Sequence, residues 1–340
     1  METILITGGM GFIGSNFIRY ILALNQDFKI INVDKLTYAG NPDNLKEIPV
    51  RYPNRYMFYK QDICDFETID KIILKNDVDY IINFAAESHV DRSIDNPATF
   101  CDTNFMGAQS LLNTAKKNDI KKFVQISTDE VYGSLNFKDP AFSEYTPLSP
   151  NSPYSASKAS ADLLVNAYYK TYNLPTNITR CSNNYGPFQF PEKIIPLMIN
   201  NALKNKELPI YGKGMNIRDW IHVTDHCDAI LKVLLEGKIG EIYNIGGDSE
   251  MANIDLVKKI LKHLEKPESL ITFVKDRPGH DLRYAINHEK ITKELNWKPK
   301  IDFDKGLDMT IQWYVSNKDW LNNVINQDYL TYYERQYKIR

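Results

Sequence analysis

Short apolar runs separated by helical stretches constrain the fold of this chain more than any other feature. They are Ile4-Leu5-Ile6, Ile30-Ile31-Asn32-Val33, Tyr80-Ile81-Ile82-Asn83-Phe84, Phe123-Val124-Gln125-Ile126 and Asn177-Ile178-Thr179. Each is strand-sized and rich in β-branched or aromatic residues. Strands joined through helices run parallel, because a parallel pair needs a long crossover between its members. The pattern predicts an α/β fold, a doubly wound and mostly parallel sheet over about residues 1–180.

Beyond Cys181 the texture changes. Pro187, Pro191, Pro196, Pro209, Gly212 and Gly214 crowd together and predict irregular connections. We expect a smaller, substrate-covering second domain, mainly from residues 181–216 and 248–340. Glu241-Ile242-Tyr243-Asn244-Ile245 reads as a strand, so about residues 217–247 are expected to rejoin the large sheet. The tail 313–340 is rich in Tyr, Trp, Asn and Lys without a clean period. It reads as a helical cap on the small domain, a partner surface being the other reading.

Charge excludes several function classes. With 41 basic and 43 acidic residues, nothing attracts nucleic acid or an acidic membrane in bulk, so an anionic ligand must be met by local cations. No apolar run approaches the ~18 residues of a membrane span, and no charged-then-apolar leader precedes Thr3. Cys64, Cys101, Cys181 and Cys227 form no C-x-x-C pair, which points to a reducing, cytoplasmic home. His222 and His226 have the i, i+4 spacing of a metal pair but lack a third ligand, so we expect structural histidines and no metal.

The first strand runs directly into Gly8-Gly9-Met10-Gly11-Phe12-Ile13-Gly14, with Gly8, Gly11 and Gly14 spaced G-x-x-G-x-x-G ahead of a helix. Missing side chains let the backbone turn sharply and approach a pyrophosphate, which the free amides of the helix start then bind. Asp34 ends the second strand, where a carboxylate accepts hydrogen bonds from a ribose diol. The fold expected is therefore of Rossmann type. Asp34 repels a 2′-phosphate and favours NAD over NADP, while the adjacent Lys35 pulls the other way. Asp62-Ile63 is either an adenine contact or a plain loop entry.

Two further groupings carry chemistry. Tyr154 and Lys158, four residues apart, share one helix face, so the ammonium can favour the phenolate and make Tyr154 a base. Thr128-Asp129-Glu130 follows the fourth apolar run and supplies two adjacent carboxylates, an acid and a base for losing a hydroxyl and a carbon-bound proton. In a regular strand they would face opposite ways; both address one substrate only if the strand gives way to a turn there. Lys193, Arg218 and Arg277 are candidate cations for a diphosphate, Arg offering a bidentate fork.

Together these stretches resemble the extended short-chain dehydrogenase/reductases and, within them, the dTDP-glucose 4,6-dehydratases. The likeness runs through Thr7-Gly8-Gly9, residues 33–41, Ala85-Ala86-Glu87-Ser88-His89-Val90-Asp91-Arg92-Ser93, residues 127–133, Tyr154 to Lys158, Cys181-Ser182-Asn183-Asn184-Tyr185-Gly186-Pro187, Arg218-Asp219-Trp220 and Asp276-Arg277-Pro278-Gly279-His280-Asp281. The glycine and Y-x-x-x-K motifs mark only the superfamily, whereas the Thr-Asp-Glu and Arg-Pro-Gly-His runs are narrower.

The resemblance implies a tightly held NAD regenerated each turnover, touched by Phe12, Ile13, Asp34, Lys35, Leu36, Thr37, Asp62, Ile63, Phe84, Ala85, Ala86, Ser88, Thr103, Tyr154, Lys158 and Asn184. It implies substrate contacts at Ser88, Thr128, Asn183, Glu192, Lys193, Pro209, Ile210, Tyr211, Arg218, Asn253, Arg277 and His280; His89 is left open. The implied reaction is dehydration of dTDP-glucose to dTDP-4-dehydro-6-deoxyglucose. Tyr154, Lys158 and Thr128 would serve oxidation at C4, Glu130 would take the C5 proton, and Asp129 would protonate the departing C6 hydroxyl. A homodimer and a place in dTDP-rhamnose or other deoxysugar supply are implied too. The connection from Gly133 to Ser152 is shorter than in some relatives, and residues 248–252 before Asn253 depart from the pattern. Competing readings are a UDP- or CDP-sugar dehydratase, a nucleotide-sugar 4-epimerase, which needs no carboxylate pair, and a non-catalytic NAD sensor on the same fold.

Overall fold

The computed structural model describes residues 1–24, 27–325 and 327–337. Among them, one sheet has seven strands in the order β3-β2-β1-β4-β5-β6-β10. These are β1 (Glu2–Thr7), β2 (Phe28–Asp34), β3 (Tyr56–Lys60), β4 (Tyr80–Asn83), β5 (Lys122–Thr128), β6 (Thr176–Cys181) and β10 (Ile242–Ile245). Every pairing is parallel. Helices cover both faces, which is why the central strands read as unbroken apolar runs: Ile4, Leu5 and Ile6 are all fully buried. From β1 the sheet is built outward in both directions, and this reversal between β1 and β4 opens a crevice at the carboxyl ends of the strands.

A second core holds Leu197, Leu256, Leu307 and Trp320. Its strands form two small sheets. In one, β9 (Ile217–His222) lies between β7 (Asn183–Tyr185) and β11 (Glu250–Ala252); in the other, β8 (Leu208–Tyr211) pairs with β12 (Ile271–Val274). The segment 217–247 divides between the layers. β9 belongs to the small sheet, the Val223–Glu236 helix packs on the Phe12–Ala23 helix, and β10 borders β6.

β3 matches none of the apolar runs. Its sequence Tyr-Met-Phe-Tyr-Lys sits at the sheet edge with only Tyr56 buried, so it needs no continuous apolar stretch. The tail ends in a Gln327–Tyr337 helix that reaches beyond the small domain. The Tyr329 hydroxyl donates to the Pro191 carbonyl at 3.0 Å, while Arg335 pairs with Asp95 of the large half at 2.6 Å. No helix among the described residues is long and apolar enough to cross a membrane.

Candidate active site

A long cavity follows the carboxyl ends of β1, β2, β4 and β5. At one end it is lined by Gly8, Gly11, Phe12, Ile13 and Gly14. Gly8 has φ +69° and an added Cβ would lie 2.6 Å from the Ala85 backbone nitrogen, so the loop admits no side chain there. A Cβ on Gly11 would meet only the Gly8 carbonyl, at 3.3 Å, leaving this residue open to the cavity. No side chain caps the Phe12–Ala23 helix, and its first amides remain available to an anion. The Asp34 carboxylate accepts the amides of Met10 at 2.9 Å and Leu36 at 2.8 Å; burial pushes its pKa up and these bonds hold it back. Lys35 pairs with Asp62 at 2.6 Å, so the cation next to Asp34 is already neutralised.

The walls continue through Thr37, Ile63, Phe84, Ala85, Ala86, Ser88 and Thr103. Thr103 is presented by a π-helical turn, Cys101–Met106, that sequence reading did not anticipate. The neighbouring Asn104 donates to the Glu87 carbonyl and accepts its amide, fixing the loop that carries Ser88.

At the other end β5 stops at Thr128, whose hydroxyl accepts the Glu130 amide at 3.2 Å and caps a 3-10 turn, Asp129–Tyr132. This turn brings Asp129 and Glu130 to the same cavity. Tyr154 lies in the first turn of the Pro153–Tyr172 helix, which begins with Pro153 and a capping box between Ser152 and Ser155. Thr128 and Tyr154 line the same cavity. One turn on, Lys158 is buried and donates to the Ile126 carbonyl at 2.6 Å.

The electrostatics separate the two carboxyls. Burial, then Glu130 and Asp219, drive the Asp129 pKa well above the usual carboxylate range, against Arg218 and a Thr128 hydrogen bond. Burial also raises Glu130, but Arg277, Lys193 and Arg218 all oppose it. Asp129 is thus the group that keeps its proton, and Glu130 is the one whose anion is supported. Burial and then Glu130 push the Tyr154 phenol far up, and the Thr128 hydroxyl lowers it. Burial pushes Lys158 down, and its ammonium uses one of its three donors on the Ile126 carbonyl.

Asn183, Asn184, Glu192 and Lys193 complete the cavity wall. Lys193 donates to the Ser88 carbonyl at 2.7 Å, and Asn184 bonds His226 at 2.9 Å. The remaining expected residues stand outside this wall. Arg218 is tied to the carbonyls of Ile217 and Asp281 over the Tyr284 ring, and Arg277 pairs with Asp91 at 3.3 Å, yet both act on Glu130. Tyr211, following Pro209 and Ile210 in β8, donates to Asp91 at 3.0 Å, and its ring lies 6.0 Å from His280. His280 is held by Asp276 at 2.6 Å. The Asn253 amide bonds Asn216, whose side chain reaches the same Asp281 carbonyl that holds Arg218. Leu36 meets the cavity only through its neighbours Lys35 and Thr37.

Glu87, inside the Phe84 to Ser88 stretch that the resemblance gives to NAD, lines the cavity too; Ser127, Cys181 and Gln189 line it without having been anticipated as contacts, although Ser127 and Cys181 lay inside the quoted motifs. Burial pushes the Cys181 thiol up to about 12, so it stays protonated. His222 and His226 are pushed down to about 4 and about 3 by burial, and no group of three or more metal-binding side chains occurs among the described residues. Buried polar atoms that find no partner gather here: Asp129 Oδ2, Ser127 Oγ, Asn183 Oδ1 and Gln189 Oε1. Such a cluster fits a cavity built around a polar ligand.

Residues 5–310 match the GDP-mannose 4,6 dehydratase family. The chain is 50% identical to the dTDP-glucose 4,6-dehydratase of Neisseria meningitidis serogroup B, covering 97% of this chain and 98% of the relative. It is 51% identical to that of Haemophilus influenzae, covering 93% and 99%. Among solved structures, dTDP-glucose 4,6-dehydratase from Bacillus anthracis in complex with NAD is 52% identical, with a TM-score of 0.89 over 95% of this chain and 100% of that one. The UDP-glucose 4-epimerase of Thermotoga maritima with UDP-glucose shares the fold at 28% identity, with a TM-score of 0.86 over 93% and 100%. The identity separates the dehydratases from the epimerases, and the chain belongs to the dTDP-glucose 4,6-dehydratase family of extended short-chain dehydrogenase/reductases.

Proposed function

We propose that this chain removes water from dTDP-glucose to give dTDP-4-dehydro-6-deoxyglucose, with NAD kept bound throughout. The observation that carries this reading is the pair Asp129–Glu130, both turned into one cavity beside Tyr154 and placed in surroundings that favour a proton on the first and an anion on the second.

Gly8, Gly11 and Gly14 would admit the pyrophosphate, Asp34 the adenosine ribose, and the wall from Phe84 to Ser88 with Thr103 the rest of the dinucleotide. When bound, NAD supplies an acceptor for the C4 hydride that also gives it back at C6. The protein's own work is proton transfer. Tyr154, which shares the cavity wall with Thr128, takes the C4 hydroxyl proton, with Lys158 as its helix-face neighbour. The C4 ketone makes the C5 proton acidic, Glu130 removes it, and Asp129 protonates the C6 oxygen as it leaves as water. Each proton transfer is worth roughly 10²- to 10⁴-fold. Lys193, Arg218 and Arg277 converge on Glu130 and supply positive charge toward the substrate side, where a diphosphate needs it.

On this reading residues 1–180 with the returning helix and β10 bind the cofactor, and the remainder binds the nucleotide sugar. The Cys101–Met106 turn with the Gly107–Lys117 helix that continues it, and the Pro153–Tyr172 helix, would pair two copies; the turn exposes Met106 and the second helix Leu163. Free cysteines suit the cytoplasm, and the product suits deoxysugar supply, dTDP-rhamnose included. To test the reaction, the purified protein is incubated with dTDP-glucose without added NAD and loss of one water is followed by mass spectrometry, UDP- and CDP-glucose running in parallel. Selective conversion of dTDP-glucose is expected; no reaction with any of them, even after NAD is supplied, would overturn the proposal.

A further inference from the structure

The run from Ala85 to Ser93 lines the cavity only as far as Ser88; its second half enters a short helix, Val90–Asp95. Arg92 on that helix has no part in the chemistry above, yet three other segments meet at it. Its Nε donates to Glu192 Oε2 at 3.0 Å, and Glu192 Oε1 accepts the Tyr38 hydroxyl at 2.9 Å. The guanidinium carbon lies 3.9 Å from the centre of the Tyr38 ring and 4.1 Å from that of Tyr332. The Glu192 side chain is 3% exposed and that of Arg92 25%. Tyr38 directly follows the ribose-loop residues 34–37, Glu192 lines the substrate side of the cavity next to Lys193, and Tyr332 belongs to the C-terminal helix.

We propose that Arg92 is a positioning residue that clasps the cofactor loop to the substrate segment, covered by Tyr332, and that this clasp keeps the dinucleotide bound between turnovers. The inference rests on the reading of the cavity as an NAD site. For the loop after β2 to lift, Tyr38 must give up its bond to Glu192 and slide off the guanidinium. Arginine suits the position because a planar, weakly hydrated cation can meet aromatic rings and a carboxylate at once, whereas lysine offers a point charge. A neutral side chain would leave the buried Glu192 charge without its partner and free to move.

The test compares wild type with Arg92→Gln, Arg92→Lys, Tyr332→Ala and Tyr332→Phe. The protein is purified without added NAD, its NAD content is assayed after acid release, and the dissociation rate is measured against a chase. Arg92→Gln should lose NAD about tenfold faster than wild type, with Arg92→Lys intermediate. Tyr332→Ala should also lose it faster, and Tyr332→Phe, which keeps the ring, should match wild type. With NAD saturating, Arg92→Gln should raise KM for dTDP-glucose through the displaced Glu192 while kcat stays within about threefold. Wild-type NAD retention in Arg92→Gln, or equal loss from Tyr332→Phe and Tyr332→Ala, overturns the proposal. Should Arg92→Gln fail to fold, Tyr332→Ala and Tyr38→Phe decide, an unchanged dissociation rate in both overturning it. If wild type holds NAD and the variants release it but none converts dTDP-glucose, the function reading falls while the clasp stands.

Discussion

Glu130→Gln separates oxidation from elimination. The amide keeps the shape of the side chain and the 3-10 turn that presents it, but it accepts no proton from C5. Losing the general base should lower turnover by roughly 10²- to 10⁴-fold, about 3–5 kcal/mol of barrier at 1.36 kcal/mol per tenfold. Earlier steps should survive. Glu130 is one of the groups that raise the Tyr154 phenol, so its neutralisation brings that phenol down and eases C4 oxidation toward lower pH. Arg277, Lys193 and Arg218 lose the anion they share, so an anionic diphosphate should bind no worse and KM should not rise. Rapid mixing with dTDP-glucose should show the absorbance of reduced cofactor appearing and persisting, while mass spectrometry detects neither water loss nor C5 exchange with D₂O. Turnover within about tenfold of wild type would refute the base assignment.

Three other outcomes are expected. Asp129→Asn should also stop water loss but leave C5 exchange intact, because Glu130 remains; absence of exchange would assign the proton removal elsewhere. The same variant bears on pH. A raised folded-state pKa means Asp129 contributes stability below the ordinary aspartate range and loses it as pH rises through its folded value, so Asp129→Asn should flatten the fall of Tm that sets in as pH rises above the ordinary aspartate range, relative to wild type. Tyr154→Phe should suppress even the first appearance of reduced cofactor, and a rapid signal would remove Tyr154 from that role. Asp162→Ala should cost about 3–5 kcal/mol in urea unfolding, because the Asp162 and Arg180 side chains, 1% and 4% exposed and 2.8 Å apart, leave an uncompensated buried cation when one is removed; a loss below about 1 kcal/mol would contradict this.

Local features were legible in the sequence. The glycine loop, Asp34 at the end of β2, the strand cores of β1, β2, β4, β5 and β6, and the helix bearing Tyr154 each depend on residues within a few positions of one another. So does the break at Thr128, where a hydroxyl caps the turn that brings both carboxyls to one side. β3 was not named among the strands: its run Tyr56-Met57-Phe58-Tyr59 carries no β-branched residue and only Tyr56 of it is buried; nor was the π-helical turn at Thr103 legible. The partners of charged groups were the largest gap. Lys35 with Asp62, Arg277 with Asp91 and Arg92 with Glu192 are brought together by tertiary packing, and no spacing rule encodes them. Lys158 lies with Tyr154 on the cavity, as helical spacing allows, and packing adds a bond from its ammonium to the Ile126 carbonyl that spacing does not encode.

The central claim is that one cavity oxidises C4, eliminates across C5 and C6, and returns the same hydrogen to C6 without releasing its cofactor. The most direct measurement is to convert dTDP-glucose carrying deuterium at C4, in ordinary water and without added NAD, and to locate the label by NMR. Full transfer of the deuterium to the C6 methyl group of the product is expected. Product lacking the label, with the deuterium lost to water or to added cofactor, would contradict it.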